Sequence, residues 1–392
     1  MNRHLAFPEG VDTEGFLRFV WQRRPLFMPA ALPGFASPLD PDELAGLACE
    51  DGVESRLVRQ MRTGTIPWKV EYGPFRRSRF RKLPASHWTL LVQDVDKYVP
   101  AVAQLLDSFR FLPDWRIDDV MVSHAADQGS VGPHWDEYDV FLVQARGRRR
   151  WQIAQQRAAA ENVLPDVDLR IMARFEPDTE WVAEPGDVLY LPPGIPHWGV
   201  AQGDCMTYSV GLRAPSLREI ASSWFEAVLE TVPEAHYRDG ELRPQPHSAE
   251  ISRHAMNRAV ELIDALTERS DDQKRRWFGR YVTEPKPNLL VDPRDSPLSA
   301  VEFRRRLEQI GTVRRHPFSR FAHYGGDDGS DWLFVAGAEY RVDSRQRAFA
   351  EVLCQWREVH FGFVAEWIEC ADCLALMTQL FNAGHLEFPG GD

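Results

Sequence analysis

The chain has 392 residues, is 44% hydrophobic and 27% charged, and carries a formal net charge of −12. That is enough chain for two or three packed domains, and it contains no run of eighteen apolar residues to span a bilayer. The negative balance argues against a general nucleic-acid binder while favouring approach by basic proteins, and five cysteines, an odd and sparse set, argue against a disulfide framework and for a reducing cytoplasm.

The opening MNRHLAFPEGVD has no apolar stretch behind a basic end, so it is not read as a secretory signal. Residues 13–22 read as a helix with Phe16, Phe19 and Val20 on one face, stopped by Arg24-Pro25, and residues 26–28 as a short strand. A helix is expected over 42–48 and an alternating strand over 55–62. Arg76, Arg77, Arg79, Arg81 and Lys82 cluster in a stretch that reads as a solvated loop. Residues 88–92 form a strand with a buried face, 99–109 a helix, and 115–124 a strand leading into the central motif.

That motif is GPHWDEYDVFLVQARGRRRW, residues 132–151. In an extended strand successive side chains point to opposite faces, so His134 and Asp136 point the same way and can share one ion. Gly129, Gly132 and Pro133 open the strand, and 140–143 continue its apolar run to a hairpin-like Gly147. A polar, proline-bearing connection then leads to a strand over 175–182. Gly186-Asp187 reads as a tight turn, 188–191 as a buried strand, and Pro192-Pro193-Gly194-Ile195-Pro196 as a rigid loop delivering His197. An HxD pair alone is weak in a chain with twelve histidines. Two separate units, each placing a ligand beside a turn at a strand end, make the metal reading stronger than that of satisfied core histidines. Two imidazoles and one carboxylate leave coordination positions open, as non-haem Fe(II) requires to take up oxygen and an organic co-substrate.

These runs, with PPGIPHWG ending at Gly199, resemble the JmjC-type, cupin-fold Fe(II)/2-oxoglutarate oxygenases, and among them the bacterial ribosomal oxygenases. The likeness extends over the whole chain. It implies a mainly β catalytic domain over 1–214, a double-stranded β-helix of jelly-roll or cupin type. A helical dimerisation segment over 215–283 and a winged-helix-like domain over 284–392 would follow. It implies Fe(II) held by His134, Asp136 and His197, with 2-oxoglutarate and O2 as co-substrates. The implied reaction is hydroxylation of an arginine in protein sixteen of the large (50S) ribosomal subunit, releasing succinate and CO2. Histidine hydroxylation and lysine demethylation are alternatives within the class; a non-enzymatic cupin scaffold is the alternative outside it. The distal carboxylate of 2-oxoglutarate needs a cation, and a guanidinium grips a carboxylate through two parallel hydrogen bonds. Among Arg148, Arg149 and Arg150, position in the family motif selects Arg149. Ser209 and Thr207, two apart on the next strand, are hydroxyl donors for the same carboxylate. Tyr138 with Asp118 or Asp119 would hold a cationic substrate side chain near the iron.

After Pro215 the apolar period changes to near 3.6. Leu217, Ile220, Trp224 and Val228 form one stripe, and Met256, Ala259, Val260, Ile263 and Leu266 another on a helix ending near Ser270. Two such stripes fit a helix pair burying its second face against another copy, a homodimer. Glu284-Pro285-Lys286-Pro287 reads as a stiff linker. Helix 300–309, strands 332–335 and 338–342, and helices 345–356 and 371–383 then follow in winged-helix order. From Pro297 onward ten Lys and Arg face fourteen Asp and Glu, which gives no footprint for DNA and favours a protein-contact or structural module. Cys370 and Cys373 form a CxxC without a close second pair and are not read as a zinc site.

Overall fold

The computed structural model describes residues 4–390 except 62–67, 157–161, 166, 168, 240–241, 327–328 and 330. The chain divides into two compact units, Met1–Ala214 and Pro215–Asp392.

In the first unit nine strands form one antiparallel sheet. They are β1 (Leu26–Met28), β2 (Ser55–Gln60), β3 (Trp68–Tyr72), β4 (Trp88–Val92), β5 (Ile117–Ala125), β6 (Val140–Ile153), β7 (Thr179–Ala183), β8 (Val188–Leu191) and β9 (His197–Leu212). Their order is β1-β8-β6-β9-β5-β4-β2-β3, with β7 attached to β6. The long strands β6 and β9 pair with each other along most of their length, and β6 adds β8 along its first half and β7 along its second. Two long strands shared by both halves of the sheet give the antiparallel jelly-roll topology that the strand-turn-ligand units require.

Alternation sorts the side chains of these strands. Phe141, Val143, Met206, Tyr208 and Val210 join Phe16, Leu32 and Phe109 in one core, while Leu142, Trp151, Ile153, Leu189 and Leu191 enter another. Phe16 comes from the helix Thr13–Phe19, whose N-cap Asp12 accepts a hydrogen bond from the Gly15 backbone N–H. Its ring is fully buried and meets Tyr190 edge-on at 5.0 Å; burying such a side chain contributes about 2–3 kcal/mol. The neighbouring carboxylate of Asp139, fully buried, accepts from Tyr190 Oη (2.6 Å), Gln22 Nε2 (2.9 Å) and Arg116 Nη2 (3.2 Å). The N-terminal segment, β8 and the approach to β5 are thereby fastened to the start of β6.

Several expectations are corrected. Gly147 does not reverse the chain; it is a left-handed residue (φ 61°) inside a bulge, and β6 runs on to Ile153. His134 and Asp136 lie outside the strands, in the loop between β5 and β6, where His134 makes a single antiparallel bridge to His197. The helix expected over 99–109 is α-helical only over Pro100–Ala103 and continues as a 3-10 helix over Gln104–Phe109; a separate short helix, Val95–Tyr98, precedes it and stops before Pro100, which lacks an N–H to continue the ladder. Pro177 likewise keeps the start of the expected 175–182 strand out of β7. The basic stretch near Arg76 contains a short helix, Arg77–Phe80, and Arg79 grips Glu71 with two hydrogen bonds of 2.8 and 2.7 Å. Arg62, the expected end of β2, lies outside the described residues.

The second unit opens with helices Leu217–Leu229 and Arg253–Thr267. A third, Asp271–Thr283, was not expected from the sequence, although Ser270 and Gln273 form a capping box at its start. Its Trp277 meets Trp224 edge-on at 5.2 Å. Beyond it come helix Ala300–Ile310, β10 (Thr312–Arg315), β11 (Phe321–Gly325), β12 (Asp331–Val335) and β13 (Ala338–Val342), followed by helices Ser344–Gln355, Phe361–Ile368 and Ala371–Asn382. Phe303, Leu333, Phe349, Leu353, Met377 and Phe381 form their core. Arg276 and Arg280 both pair with Glu339 on β13, so residues on either side of the Glu284 stretch share one body. Among the described residues no helix is long and apolar enough to cross a membrane.

Candidate active site

The site begins with a reciprocal backbone pair. His134 N–H donates to the His197 carbonyl (3.0 Å), and His197 N–H donates to the His134 carbonyl (2.8 Å). Directly opposed residues of an antiparallel pair project to the same face, and the two imidazole centroids lie 4.3 Å apart. Gly194 N–H donates to the Asp136 carbonyl (2.7 Å), fastening the third residue to the proline loop. Further along, Gln128 N–H bonds the Ala201 carbonyl and Ala201 N–H the Gly129 carbonyl, each at 3.0 Å. The HxD loop is thus laced onto the first residues of β9.

Each imidazole is oriented by its own chain. Nδ1 of His134 lies 2.9 Å from the Gly132 carbonyl, and Nδ1 of His197 lies 2.9 Å from the Ile195 carbonyl. A carbonyl accepts only, so both Nδ1 atoms carry the proton and both Nε2 lone pairs are free to bind a metal. His197 Nε2 is 3.7 Å from Asp136 Oδ2. One donor atom from each of His134, Asp136 and His197 lies within 4.8 Å of the others, and no other trio of His, Cys, Asp or Glu converges this way among the described residues. Burial, and secondarily the neighbouring His134, bring the His197 pKa down to about 4. The ring is therefore neutral, the form that ligates a metal.

The arginines of β6 divide sharply. Arg148 is exposed and Arg150 half-buried, 3.8 Å from Glu180, whereas Arg149 is only 5% exposed. The Arg149 guanidinium lies 5.4 Å from the Trp151 ring, and that ring lies 6.0 Å from His197. Trp151 fits because its cross-strand partner is Gly199, where a Cβ would come within 2.6 Å of the indole. Nε and Nη2 of Arg149 are buried without a hydrogen-bond partner in the protein. A buried unpaired guanidinium is costly on its own, and two adjacent free N–H donors match the two oxygens of a carboxylate.

Ser209 and Thr207 are both buried on β9, opposite Leu142 and Gln144 of β6. The Thr207 hydroxyl donates to Gln144 Oε1 (3.0 Å), so its proton is already committed, and Ser209 is left as the hydroxyl candidate. Tyr138 is 43% exposed as a residue, but its hydroxyl lies within reach of the Asp136 charge. The Asp136 charge, then burial, then the Asp119 charge push its pKa up. Asp119 is buried and accepts from the Asp94 N–H (3.0 Å); Asp118 is the extra residue of a bulge in β5. The sequence reading did not find Arg56, whose charge reaches Tyr138, nor Trp151 and Gln144. Their signal lay in strand pairing, which spacing does not carry.

A JmjC domain profile matches residues 104–220, and a ROXA-like winged helix profile matches residues 261–387. The chain is 35% identical over 376 residues to the ribosomal protein uL16 3-hydroxylase of Escherichia coli K12, covering 96% of this chain and 97% of that one. It is 41% identical over 217 residues to a probable ribosomal oxygenase of Haemophilus influenzae, covering 55% and 53% of the two chains. A solved structure of the Escherichia coli ribosomal oxygenase YcfD in complex with cobalt and 2-oxoglutarate aligns with a TM-score of 0.83 at 33% identity, covering 99% of this chain and 100% of that one.

The electrostatics of His197 give a pH dependence. In the unfolded chain the ring takes a proton near 6.5, in the folded protein only near 4, so between those values the unfolded state binds more protons. The metal-free protein should therefore lose stability as pH falls from about 6.5 to about 4, and above that window His197 should contribute no slope. Urea unfolding at a series of pH values, compared between wild type and His197→Asn, reads this directly. Identical slopes in the two proteins would contradict it.

Proposed function

The chain belongs to the JmjC-domain ribosomal oxygenases, and from that membership we propose that it hydroxylates an arginine side chain of large-subunit ribosomal protein uL16. It is an Fe(II)- and 2-oxoglutarate-dependent hydroxylase of a ribosomal protein. The uL16 substrate is supported by the likeness over the whole chain, and the observation that carries the co-substrate part of the reading is the buried, unpartnered Arg149 guanidinium, which lies against Trp151 as that ring lies against His197 of the trio.

In this reading the two Nε2 atoms and the Asp136 carboxylate hold the iron. When bound there, Fe(II) supplies the chemistry that couples O2 reduction and decarboxylation of 2-oxoglutarate, to succinate and CO2, with insertion of one oxygen atom into a C–H bond. Arg149 anchors the distal carboxylate of 2-oxoglutarate through Nε and Nη2, with the Ser209 hydroxyl as a further donor. Trp151 packs between this anchor and His197 and keeps water from the carboxylate. Tyr138 and Asp119 receive the substrate arginine: the carboxylate pairs with the guanidinium, and the phenol ring offers it an aromatic face. Asp119 is chosen over Asp118 because its charge reaches the Tyr138 hydroxyl. The net charge of −12 suits a strongly basic protein substrate.

The reading extends to assembly and location. Leu217, Phe225 and Leu229 on one helix, and Met256, Val260, Ile263 and Leu266 on the next, are exposed. A second copy of the chain covers these stripes, giving a homodimer, and the reaction takes place in the cytoplasm, where ribosomal proteins are made.

Iron-loaded protein given O2, 2-oxoglutarate and recombinant uL16 should release succinate and add one oxygen atom to one arginine, both lost in Asp136→Ala. Succinate without a modified arginine would refute the substrate, and neither product would refute the reading as a whole. Arg149→Met should weaken 2-oxoglutarate binding at least tenfold while raising the stability of the co-substrate-free protein by about 1–2 kcal/mol, because it removes an unpaired buried charge. Denaturant unfolding that shows a loss of stability instead would mean that the guanidinium has a partner. Paired Val260→Asp and Ile263→Asp substitutions should halve the mass seen in sedimentation equilibrium, and an unchanged mass would contradict the dimer.

A further inference from the structure

Arg149 faces inward because β6 changes phase. Before the bulge the inward residues are even-numbered: Val140, Leu142 and Gln144 stand opposite Gly211, Ser209 and Thr207. Beyond it the buried residues are odd-numbered: Arg149, Trp151 and Ile153. In an unbroken strand the side chains sharing a face with Gln144 would be 146, 148 and 150, so Arg148 and Arg150 would enter the site and Arg149 would leave it. Two register shifts, between Gln144 and Arg146 and between Arg146 and Arg148, make the difference.

A bulge removes backbone groups from the ladder, and those groups need other partners. Here one buried side chain supplies them. Gln144 is fully buried, and its Nε2 donates to the carbonyls of Arg146 (2.8 Å) and Gly147 (3.2 Å), both inside the bulge. Its Oε1 accepts from Thr207 Oγ1 (3.0 Å) on β9. Two carbonyls can face only the NH2 group, so the orientation of this amide is fixed by its neighbours. Both donors and the acceptor of the amide are in use. The backbone of the same residue is held as well, its N–H by the Asp187 carbonyl and its carbonyl by the Gly186 N–H, each at 2.9 Å. On the other side Gly147 lies so close to β9 that a Cβ would come within 2.1 Å of the Asp204 carbonyl, so the bulge has no slack in that direction.

We propose that Gln144 is a positioning residue for the co-substrate: its amide locks the β6 bulge in the phase that turns Arg149, rather than Arg148 or Arg150, into the site. This rests on the reading that Arg149 anchors 2-oxoglutarate. Gln144 touches neither co-substrate nor metal in this account and acts through Arg149 alone.

The test is a double-mutant cycle on 2-oxoglutarate binding to the full-length protein loaded with Mn(II), measured by calorimetry, so that it does not depend on turnover. Gln144→Leu, near in size but without polar atoms, should weaken 2-oxoglutarate binding by about tenfold or more, while Mn(II) affinity stays at the wild-type value. In an Arg149→Ala background the same substitution should change 2-oxoglutarate affinity less than twofold. Additive losses, or a Gln144→Leu protein that binds 2-oxoglutarate like wild type, would overturn the positioning role while leaving Arg149 as anchor intact. If Arg149→Ala itself binds 2-oxoglutarate normally, the underlying reading fails and the proposal with it. Should Gln144→Leu not fold, Gln144→Met takes its place in the cycle with the same expected outcomes.

Discussion

The reciprocal backbone pair between His134 and His197 is the constraint on which the site depends. It is one isolated antiparallel bridge rather than part of a strand, yet it sets both imidazoles side by side and fixes the separation of two segments distant in sequence. The local carbonyls of Gly132 and Ile195 then select the tautomer of each ring, and Gly194 holds the backbone of Asp136. The metal-binding geometry is therefore built mostly from main-chain hydrogen bonds, which leaves few side chains to be specified. Glycines and prolines dominate the flanks of both histidines for this reason: they supply the turns that let two loops lie against each other.

The second constraint is the phase of β6. A single long strand supplies apolar packing in its first half and the buried Arg149 guanidinium in its second, and the bulge between them is what allows residues of opposite parity to face the same interior. Arg149 accepts a cost for this placement, since two of its nitrogens are buried with no protein partner. The Trp151 ring offsets part of that cost, and an anion bound at Nε and Nη2 would offset the rest. The same logic applies more mildly at Tyr138, where Asp136 and Asp119 gather negative charge at the face that a cationic substrate side chain would meet.

Much of this was legible in the chain. The HxD pair, the proline loop before His197 and the apolar stripes after Pro215 are local patterns, and local hydrogen-bonding and burial rules decode them. Arg149 could be picked out among three arginines only by its place in a family motif; the physical reason, a bulge pinned against Asp204 and bridged by Gln144, depends on a partner strand some sixty residues away. Thr207 was read as a donor because its own face of the strand was right, but its proton goes to a cross-strand neighbour that periodicity cannot reveal. His134 was placed on a strand that begins only at Val140, and the side-chain convergence survives because the bridge to His197 replaces strand alternation. The helix Asp271–Thr283 was readable, since Ser270 and Gln273 spell a capping box, but the sequence reading stopped the preceding helix near Ser270 and assigned no helix after it.

In the proposed site one divalent ion is held jointly by His134, Asp136 and His197. Titration of the metal-free protein with Co(II), followed by visible absorption, tests it most directly. One equivalent should bind to the wild type, 2-oxoglutarate should then change the spectrum, and His134→Ala, Asp136→Ala and His197→Ala should each abolish the signal while the protein stays folded. Unchanged stoichiometry and spectrum in any of these three variants would contradict the account.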